Sequence, residues 1–319
     1  MRRIQFNLFG ILVMLVLFMG CQHKPKKGER TDTPTSGTAY VAVDESFAPI
    51  IEQEISIFHM MYPDTKIVPQ YVTEVDAVNR LLKCKDLWLA ITSRRLTPEE
   101  KKSFNSRSYE PREIKIATDG LALIINKHNN DTLITVSQIR DILTGKVKRW
   151  KEIYPKSRLK DFLIVFDNPN SSTVRFAIDS ICNGKPFGSN VKALSKNEQV
   201  IDFVSKTPNA IGIIGVNWLS DNNDSTKLSF SKKIHVMSVS NALEADPANS
   251  WKPYQAYIYD KSYPLTRSIY CILNDPGFGL PWAFEAFLAK DRGQRIILKS
   301  GLVPETQPVR IVNVNGGNN

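Results

Sequence analysis

The run Asp167-Asn-Pro-Asn-Ser-Ser-Thr-Val-Arg-Phe176 carries three consecutive hydroxyls, Ser171, Ser172 and Thr173, followed closely by Arg175. It lies between an apolar run, Phe162 to Phe166, that reads as a buried strand and a helical spacing of Val174, Ile178 and Ile181. A strand-to-helix corner is therefore expected. Hydroxyls at a helix start, together with the free N–H groups of the first turn, make a seat for an anion. Arg175 adds a planar fork of donors suited to an oxyanion. The plainer alternative is that Ser172 or Thr173 only caps the helix. A second such corner follows the strand expected at Ala39 to Val43, with Ser46 in the capping position, Phe47 beside it and Pro49 in the first turn. A third follows the strand expected at Leu87 to Ile91. There Arg94 and Arg95 sit at the carboxyl end of a strand, where open α/β sheets bind ligands. Of these two, Arg94 is the better candidate to face a ligand.

Those corners belong to a chain in which apolar runs alternate with helical patterns, the signature of an α/β fold with largely parallel strands. Phe47, Ile50, Ile51, Ile55, Phe58 and Met61 give one helix its apolar face. Lys66 to Val72 reads as a strand and Val75 to Leu82 as a helix. Thr97, followed by Pro98 and then Glu100, spells a capping box, as do Thr135 and Gln138 ahead of Val136 to Leu143, with Gly145 as the stop. Ile114 to Asn126 reads as a strand, a turn or crossing marked by Gly120, and a second strand. Residues 220–261 read as loops around one strand at Lys233 to Ser238, with Trp251, Tyr254, Tyr257 and Tyr259 packing at an edge rather than stacking on a ligand. Ser268 to Leu273 reads as a strand, Trp282 to Leu288 and Gln294 to Lys299 as helices, and the polar tail 313–319 as disordered.

With 319 residues, 42% apolar and 23% charged, the chain is globular and long enough for two domains. Its formal net charge of +10 is partly terminal, because Arg2, Arg3, Lys24, Lys26, Lys27 and Arg30 precede the body. No concentrated basic stripe interleaved with aromatics is present, so a nucleic-acid partner is not expected. There is no G-x-S-x-G elbow and no phosphate-binding P-loop, and His23, His59, His128 and His235 lack metal-ligand spacing. Neither an enzyme nor a metal or cofactor site is expected. Arg2 and Arg3 precede an apolar run, Leu8 to Met19, that is too short to span a bilayer and has the layout of a secretory signal. The sequence Leu17-Phe18-Met19-Gly20-Cys21 resembles the lipobox of bacterial lipoproteins, which implies a signal peptide over 1–20, lipid on Cys21 and a flexible polar tether over 21–37. The remaining Cys84, Cys182 and Cys271 read as buried free thiols.

From Ala117 onward the text ATDGLALIINKHNNDTLITVSQIRDILTGKVKRWKEI resembles the phosphate-specific substrate-binding proteins of bacterial ABC uptake systems. Their pattern is a DGxAxxxN crossing, a T-x-x-Q helix ending in G-K, and a W-x-E. The match continues through Ser46-Phe47, Ser171-Ser172-Thr173, Thr207 to Gly215, Tyr263-Pro264-Leu265-Thr266-Arg267, and Gly301 to Pro304. The resemblance implies a type II periplasmic-binding-protein fold with two lobes and two crossovers, closing over an anion in the cleft between them. Lobe 1 would take 38–118 with 262–319, and lobe 2 would take 119–261. By position, ligand contacts would be Ser46, Phe47, Thr73 or Glu74, Ser93 or Arg94, and Ser171, Ser172 and Thr173. Where the family places an aspartate that accepts the ligand's proton, and an arginine ahead of its hydroxyl loop, this chain has Ser93 and Asp167. Arginines stand instead at Arg94 and Arg175, and Glu74, Asp44 or Asp167 would have to supply the acceptor. The implied function is a monomeric, exported, lipid-anchored receptor on the periplasmic face of the cell envelope, passing inorganic phosphate to the permease subunits of an ABC transporter. The alternatives are another tetrahedral oxyanion, sulfate or molybdate, or a surface lipoprotein with no transport role.

Overall fold

The computed structural model describes residues 31–104, 110–219 and 230–309. The expected signal peptide, Cys21 and the tail 313–319 lie outside these residues. Of the tether, residues 33–36 make a tight turn closed by Thr33 N–H donating to the Ser36 carbonyl at 2.9 Å. The chain then enters β1 (Gly37–Asp44).

The body alternates as the apolar periodicity demands. β1 passes through a short 3₁₀ turn, Glu45–Phe47, into α1 (Ala48–Met61), followed by β2 (Thr65–Val72), α2 (Glu74–Lys83), β3 (Leu87–Thr92) and α3 (Pro98–Phe104). Next come β4 (Arg112–Asn126), β5 (Leu133–Thr135), α4 (Val136–Leu143), β6 (Leu163–Phe166) and α5 (Ser172–Phe176), which runs on as a π-helical turn, Ala177–Ile181. β7 (Val191–Ala193), α6 (Asn197–Lys206), β8 (Ala210–Gly215), β9 (Ile234–Val236), β10 (Ser238–Ser240) and α7 (Gln255–Tyr259) follow. β11 (Thr266–Leu273), α8 (Leu280–Ala289), α9 (Asp291–Lys299) and β12 (Val303–Pro304) complete the order.

β4 is the element shared by both halves of the sheet. Its first part, Arg112 to Gly120, pairs antiparallel with β11, while Leu121 to Ile125 pair antiparallel with β8. β1, between β2 and β3 in parallel, extends the first half; β6, between β8 and β7 in parallel, extends the second. The strand order is β2-β1-β3-β11-β4-β8-β6-β7. Residues 112–126 are thus one uninterrupted strand, so the crossing was the right alternative and the turn the wrong one. Gly120 is there for proximity: a Cβ on it would lie 2.8 Å from the Ile258 side chain of α7.

Local chemistry explains the helix ends. Both capping boxes form: Thr97 N–H donates to Glu100 at 2.7 Å and Glu100 N–H to Thr97 Oγ1 at 3.2 Å, and Thr135 and Gln138 exchange bonds of 2.9 and 3.1 Å. Gly145 ends α4 with φ +74°. α1 buries Ile50, Ile51, Ile55 and Phe58, and Phe58 meets Phe284 and Phe287 of α8 edge-on, each at 5.2 Å between ring centroids. Such aromatic pairs add about 0.5–1.5 kcal/mol beyond the area they bury. Trp150 is buried against Phe162 at 4.5 Å, and its indole N–H donates to the Asn209 carbonyl at 3.2 Å.

Two expectations change. The stretch 233–240 forms two short strands, β9 and β10, separated at the buried Met237, and α7 follows. Cys182 and Cys271 are buried free thiols, but Cys84 is exposed, because it ends α2 on the outside of the sheet. The aromatics of 251–259 pack on protein neighbours, with Trp251 4.7 Å from Tyr257 and Tyr254 4.9 Å from Phe230. No described helix is long and apolar enough to cross a membrane.

Glu54 stands out within α1. It is 0% exposed, neither carboxylate oxygen has a hydrogen-bond partner, and burial pushes its pKa up to about 9. The folded state therefore holds a proton that the unfolded chain releases near pH 4.5, so wild-type stability falls as pH rises through 4.5 to 9. Glu54→Gln keeps the shape without that penalty. Its thermal melting advantage over the wild type should grow with pH across this window, by at most ~1.4 kcal/mol per pH unit, and a difference independent of pH would refute the assignment.

Candidate anion-binding site

The strand-end corners converge where β4 and β11 cross. Arg267 near the start of β11 stands opposite Asp119 of β4 in register, and both are buried, at 5% and 0% exposure. Arg267 Nε donates to Asp119 Oδ2 at 3.0 Å, and Nη2 lies 3.0 Å from the same oxygen. Two buried charges are costly unless each is paired and its remaining hydrogen-bonding capacity is met. Part of that capacity is met by α5: Arg267 Nη1 donates to Ser172 Oγ at 2.9 Å and, more weakly, to Thr173 Oγ1 at 3.4 Å. The Phe47 ring covers the guanidinium at 4.8 Å, a cation–π contact strengthened by desolvation. Nη2, on the Asp119 side, lacks a hydrogen-bond acceptor of good geometry, which leaves a buried cationic donor next to the one that holds the hydroxyls.

The corner after β1 closes the other side of this ring. Asp44 Oδ1 accepts the Ser46 N–H at 3.0 Å, and Ser46 Oγ lies 3.1 Å from Ser172 Oγ, across 126 residues of sequence. The Ser46 carbonyl is held from the far side by Asn217 Nδ2 at 3.1 Å and Trp218 Nε1 at 2.9 Å. Ser46, Phe47, Ser172 and Thr173 are thus brought together around Arg267. Ser171 is not equivalent to its neighbours. It is the helix cap, its Oγ accepting the Val174 N–H at 3.2 Å and donating to Asp167 Oδ1 at 2.7 Å. The cap expected at Ser172 or Thr173 sits one residue earlier, and this frees those two hydroxyls to face Arg267.

A second cluster adjoins the first. Glu74 at the start of α2 accepts the Ser93 N–H and hydroxyl on Oε1, at 2.8 and 2.6 Å, and Arg175 Nε on Oε2 at 2.6 Å. Arg175 therefore serves Glu74 and Ser93 rather than the ring around Arg267. Thr73 caps α2, accepting the Asp76 N–H at 3.2 Å at the exposed mouth. Arg94 is held in a fork by Glu100, with both contacts at 2.8 Å, because the cap of α3 places that carboxylate beside it. Of the sequence-predicted residues, Thr73, Glu74, Ser93, Arg94, Ser171 and Arg175 thus lie outside the ring.

Four carboxylates tune the region. Burial raises Asp44 to about 6, with Arg267 opposing and the nearby Glu74 charge adding to the shift. Burial also raises Asp119 and Asp167 above the usual carboxylate range against the pull of Arg267. For Glu74 burial pushes upward too, but the Arg175 charge and the hydrogen bonds from Ser93 and Arg175 together outweigh it and leave the pKa lowered. Asp44 Oδ2, Asp119 Oδ1 and Asp167 Oδ2 are all buried without a hydrogen-bond partner, and Asp44 is the one of the three whose other oxygen holds Ser46 of the ring. A separate cavity of about 740 Å³, lined by Lys115, Arg140, Tyr259, Thr266 and Ser268 among others, borders Arg267 but none of the ring hydroxyls.

Sequence reasoning passed over Arg267 and Asp119 as site residues, although it quoted both within matching segments. The signal was available: Arg267 is the one charge in β11 and Asp119 the one charge from Ile116 to Asn126 of β4, and the two charges are opposite.

The family model for the PBP superfamily domain matches residues 28–292. The chain belongs to the PBP superfamily. Its fold is the two-lobed periplasmic-binding-protein fold. Among relatives of PBP type, the phosphate-binding protein PstS of Staphylococcus saprophyticus is 28% identical over 210 residues, 63% of this chain. The match spans only 60% of that relative's length. A structure from Clostridium perfringens, described as a phosphate ABC transporter substrate-binding protein with bound phosphate, superposes with TM-score 0.69 at 22% identity, covering 84% of this chain and 99% of its own. An ABC-type phosphate transport receptor from Vibrio cholerae superposes at 0.63 with 20% identity, covering 84% and 100%. At these identities the two structures speak to the fold.

The Asp119–Arg267 pair should behave as one unit. Arg267→Ala leaves Asp119 buried and uncompensated and should destabilise by about 3–5 kcal/mol. Adding Asp119→Ala should cost little more, and additive losses in a denaturant double-mutant cycle would contradict the pairing.

Proposed function

We propose that this protein is an extracytoplasmic solute-binding receptor that captures inorganic phosphate and delivers it to an ABC transporter. The observation that carries this reading is Arg267, a buried guanidinium with a donor to spare, ringed by the hydroxyls of Ser46, Ser172 and Thr173. Such a site recognises an oxyanion by hydrogen bonds in a dry environment, where each bond counts for more than it does in water. The phosphate-binding names carried by the relatives support the same choice of ligand. Binding rather than catalysis is the role, since a ring of donors holds an anion without activating a nucleophile.

Asp44 supplies the preference for phosphate. Near neutral pH phosphate keeps at least one proton, which a buried carboxylate accepts, whereas fully ionised sulfate meets the same carboxylate as an unpaired like charge. Thr73, Glu74, Ser93, Arg94, Ser171 and Arg175 then shape and support the site around Ser46, Phe47, Ser172 and Thr173. In this reading the lobes are 38–118 with 262–319 and 119–261, joined through β4 and β11. The receptor works as a monomer, tethered by 21–37 to lipid on Cys21 after removal of the signal peptide 1–20, and meets permease subunits at the membrane.

Calorimetric titration decides the ligand. Phosphate should bind with micromolar affinity or better, about −8 kcal/mol, and sulfate and molybdate more weakly; heat from none of the three would overturn the receptor reading. Asp44→Asn should lower the phosphate-to-sulfate affinity ratio at least tenfold. In the wild type that ratio should fall as pH drops below about 6, where Asp44 takes up its own proton and no longer accepts one from the ligand; a ratio indifferent to both changes would remove Asp44 from the selectivity role.

A further inference from the structure

We propose that Glu74, Ser93 and Arg175 form a latch that joins the two halves of the sheet beside the seat and sets ligand affinity without touching the ligand. The proposal deepens the receptor reading and rests on it for its ligand measurements. Arg175 belongs to α5, after β6 in one half; Glu74 and Ser93 follow β2 and β3 in the other. All three guanidinium nitrogens have acceptors within the protein: Nε reaches Glu74 Oε2 at 2.6 Å, Nη2 reaches Ser93 Oγ at 2.8 Å and Nη1 reaches Asp179 at 3.3 Å. Both Glu74 oxygens are also engaged, since Oε1 takes the Ser93 N–H and hydroxyl. Arg94 Nε backs the carboxylate at 3.6 Å. Arg267 differs in having a buried donor left over. The latch residues satisfy one another, whereas the seat keeps a donor unsatisfied.

The position fits the task. Arg175 is one-third exposed and lines a cavity of about 420 Å³ between the start of α2 and the α5 corner, with Thr73, Asp76, Asn170 and Asp179 around it. Separating the halves would break the Glu74–Arg175 and Ser93–Arg175 contacts together. A contact made only in the closed arrangement shifts the population toward it, and the apparent dissociation constant falls in proportion to the fraction already closed. Affinity would then be tuned from outside the ring that chooses the anion.

The test compares wild type, Arg175→Gln, Glu74→Gln and the double variant in phosphate and sulfate affinity, phosphate dissociation rate, and small-angle scattering of the ligand-free protein. Each single variant should weaken phosphate binding about tenfold, mainly through faster dissociation. The double variant should be no worse than the weaker single, the phosphate-to-sulfate ratio should hold, and the ligand-free variants should show a larger radius of gyration. If Arg175 instead contacts the anion, Glu74→Gln frees it and tightens binding while Arg175→Gln weakens it; opposite signs overturn the latch, as do unchanged affinities with unchanged scattering. Arg175→Lys, which keeps the charge but not the fork, guards against a variant that fails to fold and should fall between wild type and Arg175→Gln. Should the wild type bind no phosphate at all, the receptor reading fails, while the scattering comparison still decides the latch.

Discussion

Asp119 and Arg267 are buried opposite each other where the strand shared by both half-sheets meets its antiparallel neighbour. Desolvating the pair costs more than its attraction returns unless further hydrogen bonds complete it. Those bonds come from Ser172 and Thr173, which belong to a corner built after β6. The pair is therefore completed only when that corner lies against the crossing. Ser46, held from across the sheet by Asn217 and Trp218, adds its hydroxyl to the same point. Packing of the two halves and assembly of the seat consequently satisfy the same buried charge.

The division of labour among the hydroxyls follows from the same constraint. Ser171 spends its hydroxyl on the helix cap and on Asp167, so α5 starts where Ser172 and Thr173 point toward Arg267. Glu74 and Arg175 neutralise each other one step away. The region thus holds many charges, and beside the cationic donor of Arg267 it keeps unpartnered carboxylate oxygens on Asp44, Asp119 and Asp167. A surplus cation would hold any anion. The balanced arrangement instead suits one whose own donors and acceptors match the ring.

Much of the frame was legible from periodicity and caps. The alternation of strands and helices, the boxes at Thr97 and Thr135, the stop at Gly145 and the corner at Ser46-Phe47 all rest on local rules that short stretches of chain obey. The misreadings share one cause. Gly120 left a turn and a crossing both open because glycine often marks either, and only the packing shows that it admits Ile258 against a continuous strand. Arg94 looked free at a strand end, yet the capping glutamate three residues beyond Thr97 holds it. Arg175 looked like an anion fork because it follows three hydroxyls, and its partner lies 101 residues away.

The sequence by itself determined the α/β class, the hydroxyl-rich corners and the order of segments that place the chain among periplasmic binding proteins, because these depend on neighbours within one or two turns of chain. Tertiary structure alone decided which polar groups meet. Only pairing of β4 with β11 sets Arg267 opposite Asp119, and only the approach of the two halves sets Ser46 against Ser172 and Glu74 against Arg175. Burial then gives those meetings their force, since a charge that water would satisfy anywhere must find its partners inside the fold.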